Sequence, residues 1–432
     1  MTNGNKKVNI ITLGCSKNTV DSERLMNQLK LNKINLTDDP EEAETVIINT
    51  CGFIEAAKQE SIDTILKAVK LKEQGKLKKV IVAGCLSERY KTELEKEIPE
   101  VDIFFGTEKY EEIVKEFGGE LKYELLGERV LSSPSHTAYL KISEGCDHPC
   151  SFCAITLMRG KHHSIPLEDL IKEAEFLAKS GAKEIVLIAQ DTTDYGKDLY
   201  DKPSLALLLN KLSEIEGIEW IRLMYAYPSN FPDDVVNVIA SNPKVFKYLD
   251  IPLQHISDDV LRSMRRGVTS GRTRNLIKKL RERIQDLTIR TTFIVGYPNE
   301  SEKDFNELCK FVEEVEFDRI GVFTFSVEEN TSSFILGDPV AEEEKERRRG
   351  VLMNMQKEIS LKKNASFVGK KLKVLAESVE GDFYIARSYR DAPEVDGEIL
   401  IPIKNKKIKI GKFYTAEITG YEEYDLYGKV VS

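Results

Sequence analysis

The sequence predicts an α/β protein of three structural units, and two changes of pattern separate them. Residues 1–122 and 136–340 alternate short apolar runs with amphipathic helical stretches, which is typical of parallel sheets. A charged helical stretch at 341–363 then leads into residues 364–432, where short alternating strands are separated by Gly and Asp turns. We therefore expect an open parallel α/β sheet, a partial barrel of six β/α repeats, and a small β-barrel.

Composition restricts the class of protein. A chain of 432 residues is longer than one ordinary domain, and 41% hydrophobic with 31% charged residues is typical of soluble globular proteins. There is no run of 18 apolar residues, and the start, MTNGNKKVNIITLGC, lacks the apolar core of a signal peptide. Seven dispersed cysteines do not suggest a disulfide framework. We expect a cytoplasmic protein without a membrane partner, and the net charge of −9 argues against an extensive nucleic-acid surface.

Three apolar runs of the first unit each end in a cysteine. The segments VNIITLGC, TVIINTC and KVIVAGC end at Cys15, Cys51 and Cys85. In an open parallel sheet, sites form outside the carboxyl ends of the strands, so we expect these cysteines at one edge. A lone cysteine of this kind is usually a small core residue. Three in matching positions favour a metal-cluster site.

The loop CDHPCSFC carries three further cysteines at C-x3-C-x2-C spacing: Cys146, Cys150 and Cys153. Iron–sulfur clusters are normally held by four cysteines, so three thiolates leave one iron of a cubane open. An open position on a metal is a place where a substrate or cosubstrate binds. A zinc site and buried thiols are the alternatives, and zinc would need a fourth ligand. Three nearby histidines are available for that role: His148, His162 and His163.

The second unit contains six strand-like runs with helical patterns between them. They are Ala138–Glu144, Glu184–Gln190, Trp220–Ala226, Tyr248–Gln254, Ile289–Gly296 and Ile320–Ser326. In such barrels chemistry gathers at the C-terminal ends of the strands, where the CDHPCSFC loop is expected. Other strand ends carry Gln190, Gln254, His255 and Gly296, for which a loop residue that satisfies local backbone groups is the alternative. Cys309 has no partner at metal spacing, and we expect it in the core.

The last unit is rich in aromatic residues: Phe383, Tyr384, Tyr389, Phe413, Tyr414, Tyr421, Tyr424 and Tyr427. They could stack on bases, as in oligonucleotide-binding barrels, or fill and flank a small core. From residue 364 onward eleven Lys and Arg balance eleven Asp and Glu, which is unfavourable for counterion-driven RNA binding. Asp391, Glu394 and Asp396 add three carboxylates in one loop, and we expect them to face a basic protein partner.

The cysteine loop, with Phe152 directly before its last cysteine, resembles the signature of the radical S-adenosylmethionine (SAM) superfamily. The resemblance implies that the open iron binds the amino and carboxylate groups of SAM. It further implies that the reduced cluster cleaves SAM to a 5′-deoxyadenosyl radical and that Phe152 contacts the adenine. We expect Gln190, at the end of the second strand, as a further SAM contact.

Nearly the whole chain is similar to the methylthiotransferase family. The motifs that carry the resemblance are LGCSKNTVDSE, NTCGFI, AGCLSERY, SEGCDHPCSFCAI, DIPLQHISDDVL and TFIVGYPNE. In that family an N-terminal unit, a radical SAM core and a small TRAM-like β-barrel follow in this order. The resemblance implies two 4Fe-4S clusters and two SAM molecules per turnover. The cluster at Cys146, Cys150 and Cys153 would cleave SAM, and an auxiliary cluster at Cys15, Cys51 and Cys85 would present sulfur to the substrate.

The segment RSYRDAPEVDG, at Arg387–Gly397, is similar to the RimO branch of this family. That branch modifies the β-carbon of an aspartate in small-subunit ribosomal protein S twelve (uS12). The resemblance implies this protein or the ribosomal subunit as a partner, together with an electron donor such as flavodoxin or ferredoxin. The alternative is the MiaB-like branch, which modifies an adenosine in tRNA. A non-enzymatic iron–sulfur carrier is a third possibility, against which the open-site motif argues.

Overall fold

The computed structural model describes residues 7–132, 134–404 and 407–431, so residues 1–6 of the predicted first unit lie outside it. The first unit is a parallel sheet of five strands. These are β1 Lys7–Thr12, β2 Asn35–Leu36, β3 Thr45–Thr50, β4 Lys79–Gly84 and β5 Ile103–Phe104. The helices are α1 Ser16–Leu31, α2 Glu55–Glu73, α3 Cys85–Glu97 and α4 Tyr110–Glu116. Short 3-10 turns lie at Pro40–Glu42 and Tyr123–Leu125.

The order of strands in this sheet brings three carboxyl ends together. The order is β2-β1-β3-β4-β5, so β1, β3 and β4 are direct neighbours. All six residues of β3 are buried, as expected for a central parallel strand covered on both faces. Register pairs Thr12 with Asn49 and Thr50 with Gly84, which aligns the ends of the three strands. The residues that follow each strand therefore meet at one edge.

The second unit contains six parallel strands whose spatial order follows their order in sequence. Chain order gives β6 Thr137–Lys141, β7 Ser143–Glu144, β8 His163–Ser164, β9 Glu184–Ile188, β10 Trp220–Leu223, β11 Val245–Asp250, β12 Thr288–Val295 and β13 Arg319–Thr324. The sheet order is β13-β12-β11-β10-β9-β6, and β7 pairs with β8 in a separate two-stranded antiparallel sheet. The helices are α5 Ile155–Arg159, α6 Leu167–Lys179, α7 Leu205–Ser213, α8 Asp233–Ser241, α9 Asp258–Ser263, α10 Ser270–Arg283 and α11 Glu302–Val315. A 3-10 turn at Phe334–Leu336 follows the last strand.

The first strand of this sheet is shorter than the sequence predicts. The expected run Ala138–Glu144 leaves the sheet after Lys141, and its last two residues pair with β8 instead. Gly145 follows with φ of 73°, and a Cβ there would lie 2.0 Å from the carbonyl oxygen of Lys161. Only glycine fits this close approach, which turns the chain into the cysteine loop.

The third unit is a closed barrel of five strands. They are β14 Lys371–Glu380, β15 Phe383–Arg387, β16 Ile399–Pro402, β17 Phe413–Tyr421 and β18 Leu426–Val430. Around the barrel their order is β14-β15-β16-β18-β17. Helix α12, Glu342–Ala365, connects this barrel to the second unit. The predicted fold class, with two parallel α/β units and a small β-barrel, is confirmed.

The outer units cover one face of the six-stranded sheet. The side chains of Val186, Trp220 and Tyr248 on that face form one buried cluster with Val20 of α1 and Leu375 of β14. The other face packs on its own helices in the largest apolar cluster of the protein. The three units therefore share a continuous interior. Among the described residues, none of the helices combines the length and apolarity that a bilayer would require.

The joint between the sheet and the β-barrel contains a network of buried ion pairs beside its apolar contacts. Arg222 of β10 and Arg387 of β15 both contact Glu184 of β9, at 2.7 Å each. Arg387 also binds Glu377 of β14, at 2.6 Å. Buried ions of this kind are tolerated only when partners satisfy them, so this network defines how the barrel sits on the sheet.

The expectation that Asp391, Glu394 and Asp396 form an exposed acidic surface is wrong for two of the three. Asp391 is 2% exposed and accepts a hydrogen bond from Arg319 at 2.7 Å. The side chain of Asp396 is 1% exposed and accepts hydrogen bonds from the Tyr248 hydroxyl and the backbone of Ala392. Only Glu394 is exposed. The loop turns inward because these carboxylates neutralise cations of the second unit.

Candidate active site

One cavity of about 430 Å³ is lined by all six cysteines that the sequence singles out. Cys15, Cys51 and Cys85 reach it from the ends of β1, β3 and β4. Cys146, Cys150 and Cys153 reach it from the loop that follows β7. The carboxyl ends of two separate parallel sheets thus face one another across a single space, as sites on such sheets do.

The first cysteine set is held together by close backbone packing. Gly14 has φ of 91°, and a Cβ there would lie 2.7 Å from Cβ of Cys51. Glycine therefore lets the turn before Cys15 approach Cys51. Ser61 of α2 accepts a hydrogen bond from the Cys51 amide and donates one to its carbonyl, at 3.1 and 3.0 Å. Cys85 begins α3 and packs against Ala154 and Met158, which follow the second cysteine set.

Arg159 supplies positive charge to this first set. Its Nε donates to Sγ of Cys85 at 3.3 Å, and its Nη1 binds Asp21 and Glu144 at 2.8 Å each. Burial raises the pKa of Cys85 to about 12, although Arg159 opposes the shift. Burial likewise raises the pKa of Cys51. These thiols keep their protons until a metal displaces them, because thiolates and not thiols are the metal ligands.

The second set has its own cationic neighbour. Nη1 of Arg266 donates to Sγ of Cys150 at 3.3 Å, and the Tyr227 hydroxyl lies 3.8 Å from the same sulfur. Burial raises the pKa values of Cys146 and Cys153 to about 12 each. A hydrogen bond from a guanidinium to a ligand sulfur is one of the means by which proteins adjust the potential of an iron–sulfur cluster.

The geometry favours a cluster over the zinc alternative. Among the described residues, two sets of three ligand atoms lie within 4.8 Å of one another, and neither contains a cysteine. Zn–S bonds of about 2.3 Å in a tetrahedron would require sulfurs roughly 3.8 Å apart. The three histidines bind oxygen partners: His148 pairs with Asp191 at 2.6 Å, His162 with Ser164 and His163 with Glu108. Among the described residues, neither cysteine set therefore brings three sulfurs as close together as a single zinc ion requires.

The predicted SAM contacts Phe152 and Gln190 both line the cavity. The amide of Gln190 donates to Glu144 at 2.6 Å, while its Oε1 is buried without a hydrogen-bond partner among the described residues. Gln254 also lines the cavity, and its Oε1 is likewise buried without a hydrogen-bond partner among the described residues. Gln254 adopts φ of 71°, a strained conformation that is common at functional sites. Two free acceptors thus point to a ligand that carries hydrogen-bond donors.

His255 and Cys309 have structural roles, in local hydrogen bonding and in core packing, which were the alternatives that the sequence allowed. His255 is fully buried and bonds the backbone of Ser257 and the carboxylate of Glu300. Cys309 packs against the core of the second unit. Neither is among the residues that line the cavity.

Four functional candidates were not singled out from the sequence: Lys17, Tyr225, Tyr227 and Arg266. Each lines the cavity, and Tyr225 and Tyr227 follow β10 at a strand end where chemistry was expected. Lys17 lies two residues after Cys15 within the motif LGCSKNTVDSE. Its place in that motif, next to a predicted ligand, is a signal by which the sequence could have identified it. Arg266 follows α9 in a loop without a motif, so only the fold reveals it.

Comparison with known families divides the chain as the fold does. Residues 7–106 match a family described as uncharacterized protein family UPF0004, residues 140–312 the radical SAM superfamily, and residues 368–431 the TRAM domain. Among solved structures, the radical SAM methyltransferase TsrM from Kitasatospora setae covers 88% of this chain and 79% of its own, with a TM-score of 0.58. At 12% identity that likeness shows the fold alone.

Relatives of the same length identify the family. Proteins named ribosomal protein uS12 methylthiotransferase RimO are 51% identical in Cytophaga hutchinsonii, over 99% of both chains, and 53% identical in Chloroherpeton thalassium, over 98% of both. The Aquifex aeolicus protein of that name is 50% identical over 98% of this chain and 97% of its own. The predicted enzyme class is confirmed. The chain is a radical SAM methylthiotransferase and belongs to the RimO family.

Proposed function

We propose that this chain adds a methylthio group to the β-carbon of an aspartate in ribosomal protein uS12. The observation that carries the proposal is the single cavity in which cysteine sets from two parallel sheets meet. A saturated carbon has no acidic proton for a side-chain base, so a cofactor must supply the hydrogen abstraction. A cavity bounded by two cluster sites lets one substrate carbon reach both. The names of the full-length relatives support uS12 as the substrate.

We assign one 4Fe-4S cluster to Cys146, Cys150 and Cys153 and an auxiliary one to Cys15, Cys51 and Cys85. When bound, these groups would supply reductive cleavage of SAM and the transferred sulfur, with two SAM molecules used per turnover. The residues of the chain itself would bind SAM and orient it. Phe152 would offer an apolar face for the adenine, and Gln190 and Gln254 would offer free acceptors to the ribose hydroxyls. The predominantly apolar lining would limit the contact of water with a reactive intermediate.

The proposed reaction requires a ribosomal substrate and an electron donor. The ribosomal substrate would place the enzyme in the cytoplasm. An external donor such as flavodoxin or ferredoxin would supply the electron for SAM cleavage. Sulfur insertion would belong to the unit predicted at 1–122 and SAM cleavage to that predicted at 136–340.

The proposed reaction is tested with anaerobically reconstituted full-length protein, SAM and a chemical reductant. Isolated uS12, assembled small subunits and unmodified tRNA are offered separately, and peptides and nucleosides are analysed by mass spectrometry. We expect methylthioaspartate in uS12 or in the subunit. Methylthioadenosine in tRNA, with uS12 unmodified, would instead assign the chain the activity of the tRNA branch.

A matched variant separates the two cysteine sets. With Cys15, Cys51 and Cys85 all replaced by alanine, 5′-deoxyadenosine should still form from SAM because the second set is intact. Methylthiolation should be lost. Sulfur insertion by this variant would show that the first set does not carry the sulfur.

A further inference from the structure

Lys17 is a largely buried lysine whose ammonium has no anionic partner among the described residues. It is 8% exposed, lies in the first turn of α1, and lines the cavity between the two cysteine sets. Within the described parts of the chain, its ammonium makes no hydrogen bond or ion pair, and it lies 3.2 Å above the ring centroid of Tyr225. Its ammonium is not one of the buried polar atoms that lack a partner, so it is accessible from the cavity and is suited to an anion brought by a ligand, which would bury and pair the two charges.

The other cations of the cavity are already occupied. Arg159 binds Asp21 and Glu144, and Arg266 binds the sulfur of Cys150 and the carbonyl of Pro252. The described residues that line the cavity include no Asp or Glu. Lys17 is therefore the cavity's cation with capacity for a carboxylate.

Lys17 lies where an anchor for the substrate carboxylate would be needed. Lys17 follows Cys15 by two residues, so it adjoins the first cysteine set. Its ring partner Tyr225 precedes Tyr227, whose hydroxyl lies 3.8 Å from Sγ of Cys150 in the second set. The β-carbon of an aspartate is bonded directly to its carboxyl carbon. An anchor for that carboxylate would thus fix the reacting carbon between both sets.

We propose that Lys17 binds the side-chain carboxylate of the substrate aspartate and selects for an acidic residue. This inference rests on the proposed function and adds the group that recognises the target side chain. It also accounts for discrimination against nucleobases, which have no carboxylate to pair with the ammonium.

The test is a binding cycle with reconstituted protein. The dissociation constant is measured by fluorescence anisotropy for labelled uS12 and for uS12 whose target aspartate is asparagine. The chains compared are the unaltered protein, Lys17→Gln, Lys17→Met and the control Lys30→Gln. Lys30 is exposed in the last turn of the same helix. The iron content of each variant is measured first. If Lys17→Gln incorporates little iron, the comparison is made with Lys17→Met, which keeps the apolar stem over Tyr225.

The unaltered protein and Lys30→Gln should bind aspartate-containing uS12 at least about tenfold more tightly than the asparagine form, because truncating one member of a buried charge pair is expensive. The Lys17 variants should lose that preference to within about twofold. If they retain it, or weaken binding of both ligands equally, the inference is wrong even though uS12 is the substrate. If the unaltered protein modifies only tRNA, the proposed function fails instead.

Discussion

Arg159 donates a hydrogen bond from Nε to Sγ of Cys85, although the two residues belong to different units of the chain. Arg159 ends the short helix α5 that follows the second cysteine set. Cys85 begins α3 of the first unit. The contact thus ties the first cysteine set to the helix that follows the second.

Replacement of Arg159 should destabilise the joint between the first two units. Arg159→Gln would leave Asp21 and Glu144 with reduced compensation, and breaking a buried pair costs about 3–5 kcal/mol. The free energy of unfolding of the metal-free protein, measured in urea, should fall by that order. Arg262→Gln is the control, because the Arg262–Asp259 pair is more than 70% exposed and should contribute at most about 1 kcal/mol. Equal losses for both variants would contradict this assignment.

The two cysteine sets should each carry half of the iron. Reconstituted protein is expected to hold on the order of eight irons, two cubanes of four. Alanine at Cys146, Cys150 and Cys153 should halve the content measured by colorimetric iron analysis, and so should alanine at Cys15, Cys51 and Cys85. Cys309→Ala is the control and should leave the content unchanged. Full iron in the Cys15, Cys51 and Cys85 variant would show that this set holds no cluster.

The loop of the β-barrel should respond to substitution as a buried joint and not as a docking surface. Asp391→Ala removes the partner of Arg319 and should lower the free energy of unfolding by about 3–5 kcal/mol. Glu394→Gln, in the same loop but exposed, should change it by less than about 0.5 kcal/mol. Denaturant unfolding with both variants measures the difference. A stable Asp391→Ala protein with weakened uS12 binding would restore the docking interpretation.

Acid should loosen the β-barrel from the sheet. Burial opposes ionisation of Glu377, but the His136 ring, 3.5 Å away, and the hydrogen bonds from Arg387 outweigh it and hold its pKa at about 2 instead of 4.5. A carboxylate with a lowered folded pKa contributes stability above its unfolded pKa and loses it as the pH falls toward the folded value. Unfolding of the metal-free protein should therefore become easier between pH 4.5 and about pH 2. Glu377→Gln should flatten this part of the pH profile, and an unchanged slope would rule out the contribution.

The loop with Asp391 and Asp396 illustrates why part of the structure could not be predicted from the sequence. The sequence shows that the loop has carboxylates, but it does not distinguish a carboxylate that faces solvent from one that pairs with an arginine. Arg290 and Arg319, which lie near Asp396 and Asp391, belong to strands of a different unit. Burial arises only when two surfaces meet, and no local pattern reports which surfaces those are.

The sequence by itself determined the fold class and the choice of the six cysteines, because periodicity, strand ends and cysteine spacing are local properties of a chain. Its enzyme class was predicted from the resemblance of its motifs to a known family. The sequence also predicted Phe152 and Gln190, which both reach the cavity. Only the tertiary structure placed Lys17 over Tyr225, Arg159 on Cys85 and Arg266 on Cys150. Each of these pairs joins residues distant in sequence, and a charge acquires its role from whichever partner the packing of separate units brings within a few ångströms of it.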